Sequence, residues 1–343
     1  MPDPVLTGAI DKLAGGDALT TQEAADALLT VMEGRASEIQ TSALLIALRT
    51  KGETVEELVG LAQTMRALST KVDAGTDELV DTCGTGGGRP TFNVSTTAAF
   101  VTAGAGCTVA KHGARSNTGR SGSADVLEAL GARIDLSPEA VAACIGEVGI
   151  GFMFAQNHHA AMKHVVPVRK ELAVRTVFNF LGPLTNPAGA AFQVIGVSDA
   201  GHHDTIAAAL AALGCRRGLV VSSEDGMDEI SVAGRTRVIE VREGNTESYV
   251  ITPEELDVEP FPLSHLRAGT PERNAEIARE VVAGNPGAER NVVLLNAAAA
   301  IYAYGAADTL AAGVVKAAEA IDSGAAREVL DHFVRRTQEL APA

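Results

Sequence analysis

The 343-residue sequence contains few cysteines, and they do not form a recognisable pattern. Cys83, Cys107, Cys144 and Cys215 have no metal-type spacing. Four cysteines in a chain of this length do not indicate a disulfide scaffold. We therefore expect reduced thiols and a cytoplasmic protein.

The sequence also lacks an excess of basic residues. Lys and Arg number 28 against 43 Asp and Glu, which leaves a net charge of −15. Nucleic acids and anionic membranes require a basic footprint, so we expect neither as a partner. A phosphorylated ligand would have to be neutralised locally, by clustered cations, backbone N–H groups or a bound metal ion.

Long apolar runs and a leader sequence are missing as well. The stretch Val292–Tyr304 carries Asn296 and is too short to span a bilayer. The segment Met1–Ala14 has Asp3 and Asp11 instead of a basic region followed by an apolar run, so we predict no signal peptide.

The first 70 residues indicate helices only. Thr20 with Glu23, and Thr54 with Glu57, have the spacing of capping boxes at helix starts. A helical block this short cannot bury all its apolar faces, so it should pack on the rest of the chain or on a second subunit. The predicted helices are Ala24–Met32, Ile39–Arg49 and Leu58–Leu68.

From Glu78 onward the pattern alternates between strands and helices, which predicts an α/β fold with a mostly parallel sheet flanked by helices. A hairpin, Arg237–Val241 with Ser248–Ile251, should extend this sheet. Helices return in Glu272–Leu340. The predicted sheet strands are Leu79–Asp81, Thr108–Ala110, Phe152–Ala155, Gln193–Val197 and Gly218–Ser222.

A glycine-rich loop, Cys83–Gly88, lies between a predicted strand and a predicted helix. Glycines leave backbone N–H groups free to face an anion, and the helix N-terminus adds its dipole. Asn93, Ser95 and Thr96 at the helix start can add side-chain donors. The loop predicts a phosphate-binding site, with a simple strand-to-helix turn as the alternative.

The segment Lys111–Ser123 carries three strong cations and four hydroxyls in thirteen residues. Lys111, Arg115 and Arg120 would neutralise an anion here, on the same sheet edge as the glycine loop. A solvated basic loop is the alternative.

Two further motifs follow in the chain. Asp228 and Glu229, on a loop after a strand, suit Mg²⁺, which prefers oxygen ligands, although such a pair can also be plain surface. His158 and His159 are adjacent and so do not share a helix face, which argues against a transition-metal site. We interpret them as substrate-side polar groups or surface residues.

The sequence contains no signature of covalent catalysis. No nucleophilic elbow or Ser-His-Asp order is present, and we interpret Cys83 as a small residue packed beneath the glycine turn. The pair His202-His203 is interpreted as a cap or surface feature.

Four motifs in this order resemble the anthranilate phosphoribosyltransferase family, over about Ile10 to Thr337. They are Cys83–Gly88 with Thr91–Thr96, Lys111–Arg115 with Ser121–Gly131, Phe180–Pro187, and Gly226–Glu229.

The resemblance implies a small all-helical domain beside a large α/β domain, a fold shared with the pyrimidine nucleoside phosphorylases. The small domain would comprise residues 1–70, joined by a helical segment at about 160–188. The large domain would comprise residues 71–159 and 189–343. The resemblance further implies a homodimer joined through the helical domain. It also implies transfer of phosphoribosyl from 5-phosphoribosyl 1-diphosphate to anthranilate, with release of pyrophosphate, in tryptophan biosynthesis.

The resemblance also assigns roles to individual residues. Electrostatic catalysis would come from Lys111, Asp228 and Glu229, and Mg²⁺ would be held by Ser95, Asp228 and Glu229. Anthranilate would be bound by Gly84, His112, His159 and Arg169. Phosphoribosyl diphosphate would be bound by Gly84, Thr85, Gly87, Asn93, Ser95, Thr96, Lys111 and Ser123.

The sequence departs from the family pattern at two points. The glycine loop continues Gly88-Arg89-Pro90 and is one residue shorter than usual, without the usual acid. Ala114 stands where the family usually has an asparagine, which bears on the acceptor. Three alternatives compete with this interpretation: a phosphoribosyltransferase with another acceptor, a pyrimidine nucleoside phosphorylase, and a non-catalytic relative that binds nucleic acid. The net charge of −15 opposes the last of these.

Overall fold

The computed structural model describes residues 2–116, 121–266 and 269–342. The middle of the predicted basic loop, from Asn117 to Arg120, lies outside the described residues. Nothing further is therefore said of Arg120.

The N-terminal segment forms four helices, and both predicted capping boxes are present, at Thr20 with Glu23 and at Thr54 with Glu57. Each box pairs two backbone N–H groups that the helix start leaves unsatisfied. The helices are α1 (Pro4–Ala14), α2 (Thr21–Met32), α3 (Glu38–Lys51) and α4 (Val55–Leu68).

The rest of the chain builds a seven-stranded sheet, ordered β3-β2-β1-β4-β5-β6-β7. Strands β1 to β5 pair in parallel, and β6 and β7 add an antiparallel hairpin. The predicted α/β fold is confirmed, with strand ends shifted by up to three residues. The strands are β1 (Val80–Gly84), β2 (Val109–Gly113), β3 (Ile150–Phe154), β4 (Phe192–Gly196), β5 (Arg217–Ser223), β6 (Thr236–Arg242) and β7 (Asn245–Ile251).

Helices cover both faces of the sheet. In chain order they are α5 (Val94–Gly104), α6 (Ser123–Ala129), α7 (Pro138–Val148), α8 (Ala155–His158), α9 (Val166–Leu172), α10 (Phe178–Leu181), α11 (His203–Ala212), α12 (Pro271–Val282), α13 (Ala288–Tyr304), α14 (Leu310–Asp322) and α15 (Ala325–Leu340). Among the described residues, no helix is both long and apolar enough to cross a membrane.

Two apolar cores lie on opposite faces of the sheet. One packs α5, α13 and α15 on the first face, with Phe100 and Phe333 in edge-to-face contact. The other joins side chains of α1 to α4 to Ile195 and Val220 of the sheet and to Ile206 of α11. The helical segment therefore buries its apolar faces against the α/β sheet of the same chain, one of the two outcomes that the sequence predicts.

The surface interpretation is excluded for two histidines. His203 is not at the surface: it is fully buried, and its Nε2 lies 2.8 Å from the carbonyl oxygen of Val220. His158 is buried as well, with Nδ1 2.9 Å from the carbonyl oxygen of Thr70. Both rings satisfy backbone carbonyls between packed elements, a role that tertiary packing decides.

Candidate active site

The candidate site lies where the order of strands reverses. From β1 the chain proceeds through β2 to β3 on one side, and then from β4 to β5 on the other. In open α/β sheets, ligands bind beyond the carboxyl ends of the strands at such a switch point. The loops after β1 and β2 open at this edge, as predicted.

The glycine loop after β1 has a backbone that requires glycine. Gly86 and Gly87 have φ values of 66° and 77°, in the left-handed region. A Cβ atom on Gly87 would lie 1.9 Å from Nη1 of Arg175. The loop is anchored by the amide of Thr85, which donates to the carbonyl oxygen of Gly196 at 2.8 Å.

The Asp228 loop packs directly on the glycine loop. Gly84 and Gly196 are paired across β1 and β4, and a Cβ on either would collide with Asp228, at 2.4 Å and 1.5 Å. The amide of Gly86 donates to Oδ2 of Asp228 at 2.8 Å. Two strand glycines thus create the space in which this carboxylate meets the loop.

Ser95, Asp228 and Glu229 line one small cavity of about 10 Å³, room for a water molecule or a small cation. Burial raises the pKa of the Asp228 carboxyl. Burial, reinforced by the charges of Asp228 and Asp225, raises the pKa of Glu229 well above its usual range. Glu229 Oε2 is buried without a hydrogen-bond partner among the described residues.

This donor set suits a hard cation better than a transition metal. Within the described ranges, no group of three or more His, Cys, Asp or Glu residues forms a metal site. Mg²⁺ is usually held by only one or two protein carboxylates, with waters and substrate phosphates completing its octahedron. An orphaned, buried carboxylate oxygen beside a hydroxyl fits that requirement.

Lys111 lies beneath the glycine loop and is 2% exposed. Its Nζ donates to the carbonyl oxygen of Thr82 and lies 3.5 Å from the Ser95 hydroxyl. Burial lowers the pKa of this ammonium, and the nearby carboxylates of Asp81 and Glu229 oppose that effect. Lys111 therefore places its amine next to Ser95, a residue that lines the same small cavity as Asp228 and Glu229.

Asp81 is a polar residue of the site for which the sequence interpretation assigned no role. Its carboxylate is fully buried and accepts from the amide of His112 at 3.1 Å and from Nδ2 of Asn186 at 2.8 Å. Burial raises its pKa, and the charge of Lys111 opposes the rise. An acid directly after the apolar pair Leu79-Val80, which begins a predicted strand, was the available signal.

The side chains at the start of α5 bond to neighbouring loops and helices. The Asn93 Oδ1 accepts from Ser121 Oγ at 2.9 Å and from Asn274 Nδ2 at 2.8 Å. Thr96 Oγ1 donates to Ser123 Oγ at 3.1 Å. The predicted donors Asn93, Thr96 and Ser123 are thus brought together where α5 and α6 begin.

His112 and His159 form a buried pair, with ring centroids 5.2 Å apart. Nδ1 of His112 lies 3.2 Å from the carbonyl oxygen of Gly182, and the ring of His159 bonds to the backbone of Thr185. Burial first, and then the other ring, lowers the pKa of His112 to about 3, whereas burial lowers that of His159 to about 4. Both imidazoles are therefore neutral at pH 7.

The histidine pair offers two hydrogen-bond acceptor atoms to a ligand. Both Nε2 atoms are buried without a hydrogen-bond partner among the described residues. A neutral imidazole that donates through Nδ1 keeps a lone pair on Nε2. The pair therefore favours a ligand that presents N–H donors. The interpretation of His159 as a surface residue is excluded, and the substrate-side interpretation stays a prediction.

Two of the predicted cations have different environments. Arg169 on α9 lies over the ring of Phe178, at 5.5 Å, and burial lowers its pKa. Arg115 forms ion pairs with Asp125 at 2.9 Å and with Glu128. Two acids of α6 therefore already pair with Arg115, and its role in neutralising a ligand stays a prediction.

Cys83 matches its interpretation as a packed residue. Burial raises the pKa of its thiol well above the usual range, and the charge of Asp81 adds to the rise. The thiolate is the reactive form, so this side chain is not a nucleophile at neutral pH.

Comparisons with known proteins agree with this arrangement. Residues 76–327 match the sequence model of the glycosyl transferase family, a/b domain, and residues 7–69 match that of its helical bundle domain. The anthranilate phosphoribosyltransferase of Rubrobacter xylanophilus is 53% identical over 339 residues, which cover 98% of this chain and 99% of that protein.

Two solved structures share the whole fold. That of anthranilate phosphoribosyltransferase from Thermus thermophilus superposes with a TM-score of 0.91 at 43% identity, covering 96% of this chain and 99% of that one. The Saccharomyces cerevisiae enzyme in complex with PRPP and Mg gives 0.90 at 29% identity, covering 98% and 99%. Since both domains match and half the residues are shared with a full-length relative, the chain belongs to the anthranilate phosphoribosyltransferase family.

Proposed function

We propose that the chain transfers the phosphoribosyl group of 5-phosphoribosyl 1-diphosphate to anthranilate, a step of tryptophan biosynthesis. The products are N-(5-phosphoribosyl)anthranilate and pyrophosphate. The observation that carries the proposal is the meeting, at one sheet edge, of an N–H-rich glycine loop, the Asp228–Glu229 pair and the neutral pair His112–His159.

The glycine loop and Lys111 form the diphosphate end of the site. Gly84, Thr85 and Gly87 would contact the diphosphate, Thr85 through its hydroxyl because its amide already donates to the carbonyl oxygen of Gly196. The N-terminus of α5 adds its dipole. Asn93, Ser95, Thr96 and Ser123 supply polar side chains at the starts of α5 and α6. On an acidic protein, this local set provides the neutralisation that the ligand needs.

Asp228 and Glu229, with the hydroxyl of Ser95, would hold Mg²⁺. When bound, the ion neutralises charge that develops on the leaving pyrophosphate. The high pKa of Glu229 supports this role, because a carboxyl that is costly to ionise alone gains most from a cation partner.

The acceptor end consists of His112, His159 and Arg169, with the backbone of Gly84. The Nε2 lone pairs of the two histidines can accept hydrogen bonds from the neutral amine of anthranilate, which orients its nitrogen lone pair. The guanidinium of Arg169 suits a carboxylate. An arylamine needs little activation at pH 7, so the residues need only hold and orient it.

Departure of pyrophosphate should dominate the barrier, through an oxocarbenium-like transition state. The amides of the glycine loop and the ammonium of Lys111 are fixed before the reaction, so they stabilise the departing charge without reorganising. Catalysis is then non-covalent and electrostatic, consistent with the un-ionised thiol of Cys83.

A fluorescence assay tests the proposal by following consumption of anthranilate with phosphoribosyl diphosphate and Mg²⁺. We expect turnover that requires all three components. No consumption at millimolar anthranilate, with intact binding of phosphoribosyl diphosphate, would favour a phosphoribosyltransferase with a different acceptor. Ala114 supports that second candidate, because this exposed residue stands where the family usually has an asparagine.

We also propose that the enzyme is a cytoplasmic homodimer joined through the helical domain at residues 1–70, with the α/β domain at 71–159 and 189–343. Support comes from exposed apolar side chains on α1 and α3: Ile39 is 82% exposed, Val5 42% and Ile46 36%. Ile39 and Ile46 are seven positions apart and so lie on one face of α3, where adjacent exposed apolar side chains favour association. Sedimentation analysis should find a dimer for the native chain and a monomer for Ile39→Glu combined with Ile46→Glu.

A further inference from the structure

Arg175 is not one of the residues to which the proposed mechanism assigns a role. It lies between α9 and α10, in the segment that passes beside the helical bundle. Its carbonyl oxygen accepts from Nη1 of Arg49, in the last turn of α3, at 2.8 Å. Its guanidinium lies over the ring of Phe180 at 5.9 Å. The residue is therefore held at its backbone by the bundle and at its side chain by a ring.

The guanidinium of Arg175 reaches the glycine loop. Nη1 donates to the carbonyl oxygen of Gly86 at 2.9 Å and lies 3.3 Å from Ser198 Oγ. Ser198 Oγ donates to the same carbonyl at 2.8 Å. Because the amide of Gly86 donates to Asp228, both polar groups of this glycine are engaged.

The fit between Arg175 and the loop depends on the missing side chain of Gly87, whose Cβ would lie 1.9 Å from Nη1. Nη2 of Arg175 is buried and has no hydrogen-bond partner among the described residues. A buried cationic donor left unused is uncommon in a structural contact. It indicates a position at which an anionic oxygen of a ligand would accept a hydrogen bond from Nη2.

The charge of Arg175 also acts on the metal-side carboxylate, since it opposes the burial that raises the pKa of Asp228. Among the ion pairs of the described ranges, none involves Arg175. Its hydrogen bonds go to a loop carbonyl and a hydroxyl instead of an acid, so its charge is not cancelled by a direct partner.

We propose that Arg175 is a positioning residue of the active site, which fixes the peptide at Gly86 so that the glycine loop presents its amides to Asp228 and to the diphosphate. The consequence for diphosphate binding rests on the proposed function. The effect of Arg175 on the glycine loop does not rest on the proposed function, because the contact with Gly86 is present in the ligand-free protein.

Amide hydrogen exchange in the free protein tests the positioning directly. We expect Arg175→Met to accelerate exchange of peptides covering Thr82 to Pro90 about tenfold, the scale of losing a hydrogen bond to a charged group. Arg175→Lys should recover part of the protection, since an ammonium can still donate to the Gly86 carbonyl. Peptides of β5 should exchange as before.

Calorimetric titration with phosphoribosyl diphosphate and Mg²⁺, without anthranilate, tests the consequence. We expect Arg175→Met to weaken binding about tenfold and to leave the KM for anthranilate unchanged. Arg216→Met is a matched control, because Arg216 also lies over a phenylalanine ring, at 4.6 Å from Phe192, and donates to a backbone carbonyl, that of Asp77.

Unchanged exchange of the loop in Arg175→Met, or equal acceleration throughout the protein, would overturn the proposal. If Arg175→Met does not fold, the Arg175→Lys variant decides the question. An amide exchange rate of the glycine loop above that of the native chain would then support the proposal, and an unchanged rate would overturn it. If the native chain binds no phosphoribosyl diphosphate while the loop still responds to Arg175, then the proposed function fails and the positioning role stands.

Discussion

The amide of Gly86 donates to Oδ2 of Asp228 at 2.8 Å, across 142 positions of sequence. This bond joins the loop proposed to bind the diphosphate to the carboxylate proposed to hold the metal ion. A displacement of one loop should therefore also displace the other.

Loss of the two carboxylates proposed to hold Mg²⁺ should abolish most of the activity. We expect Asp228→Asn with Glu229→Gln to lower kcat by at least about a hundredfold, the scale of removing a key electrostatic stabiliser. The same assay on Glu224→Gln, an exposed acid on the same loop that pairs with Arg235, is the control. Near-normal turnover of the double variant at physiological Mg²⁺ would refute the assignment.

Gly196 should tolerate no side chain. A Cβ there would lie 1.5 Å from the carbonyl oxygen of Asp228, inside a paired strand that cannot move easily. We expect Gly196→Ala to destabilise the protein by about 1–3 kcal/mol, the usual range for overpacking, and to lower activity. Urea unfolding measures the change.

Gly146→Ala is the control for that experiment, because Gly146 lies in α7 and a Cβ there meets nothing within 4 Å. It should be neutral or slightly stabilising, since alanine favours helix. Equal stability of Gly196→Ala and the native chain would show that the strand ends can separate.

The buried histidines predict how stability depends on pH. The folded-state pKa of His112 is about 3 against an ordinary value of 6.5, so the unfolded chain binds the proton first as pH falls. Its contribution to stability is complete above about pH 6.5 and is lost progressively toward pH 3. Replacing His112 by Gln should therefore flatten the rise in unfolding free energy between pH 4 and 6.5.

The comparison between native and His112→Gln chains is essential, since Asp228 and Glu229 have raised pKa values and contribute the opposite slope. Chemical unfolding at several pH values measures how the unfolding free energy of each of the two chains depends on pH. The same neutrality predicts a KM for anthranilate that is constant from pH 8 to pH 5.5. A tenfold rise within that range would contradict the neutral-imidazole interpretation.

Ala114 should limit affinity for the acceptor. If the family's asparagine bonds the aromatic substrate, Ala114→Asn should lower the KM for anthranilate by about fivefold, near the net worth of one hydrogen bond. The KM for phosphoribosyl diphosphate should not change. Ala283→Asn, at an exposed helix C-cap, controls for a general effect. A higher KM for anthranilate would indicate that this enzyme binds its acceptor differently.

Local features of the fold could be predicted from the sequence because neighbouring residues decide them. The capping boxes at Thr20 and Thr54 need only a side chain and an amide three positions apart. The alternation of strands and helices is also visible in the chain, and it predicted that the loops after β1 and β2 share one edge. Element ends were less certain, because hydrogen bonds to other strands decide where a strand stops.

The candidate site was predictable as a set of motifs but not as a geometry. The glycine loop, Lys111 and the pair Asp228–Glu229 are recognisable one by one. The pairing of Arg115 with Asp125 and Glu128, and the burial of His158 and His203, depend on which surfaces meet. The sequence interpretation did not foresee the ion pairs of Arg115, and the surface position that it allowed for the two histidines is excluded.

The sequence by itself determined the elements of this protein, the glycines that its turns require, and the family to which it belongs. Only the tertiary structure decided that Asp81 lies buried beneath His112, that two neutral histidines keep bare acceptors, and that Arg175 contacts Gly86. The physical reason is distance along the chain: burial, pKa and hydrogen-bond partners arise from residues that are far apart in sequence and meet only when the sheet and the helical bundle pack together.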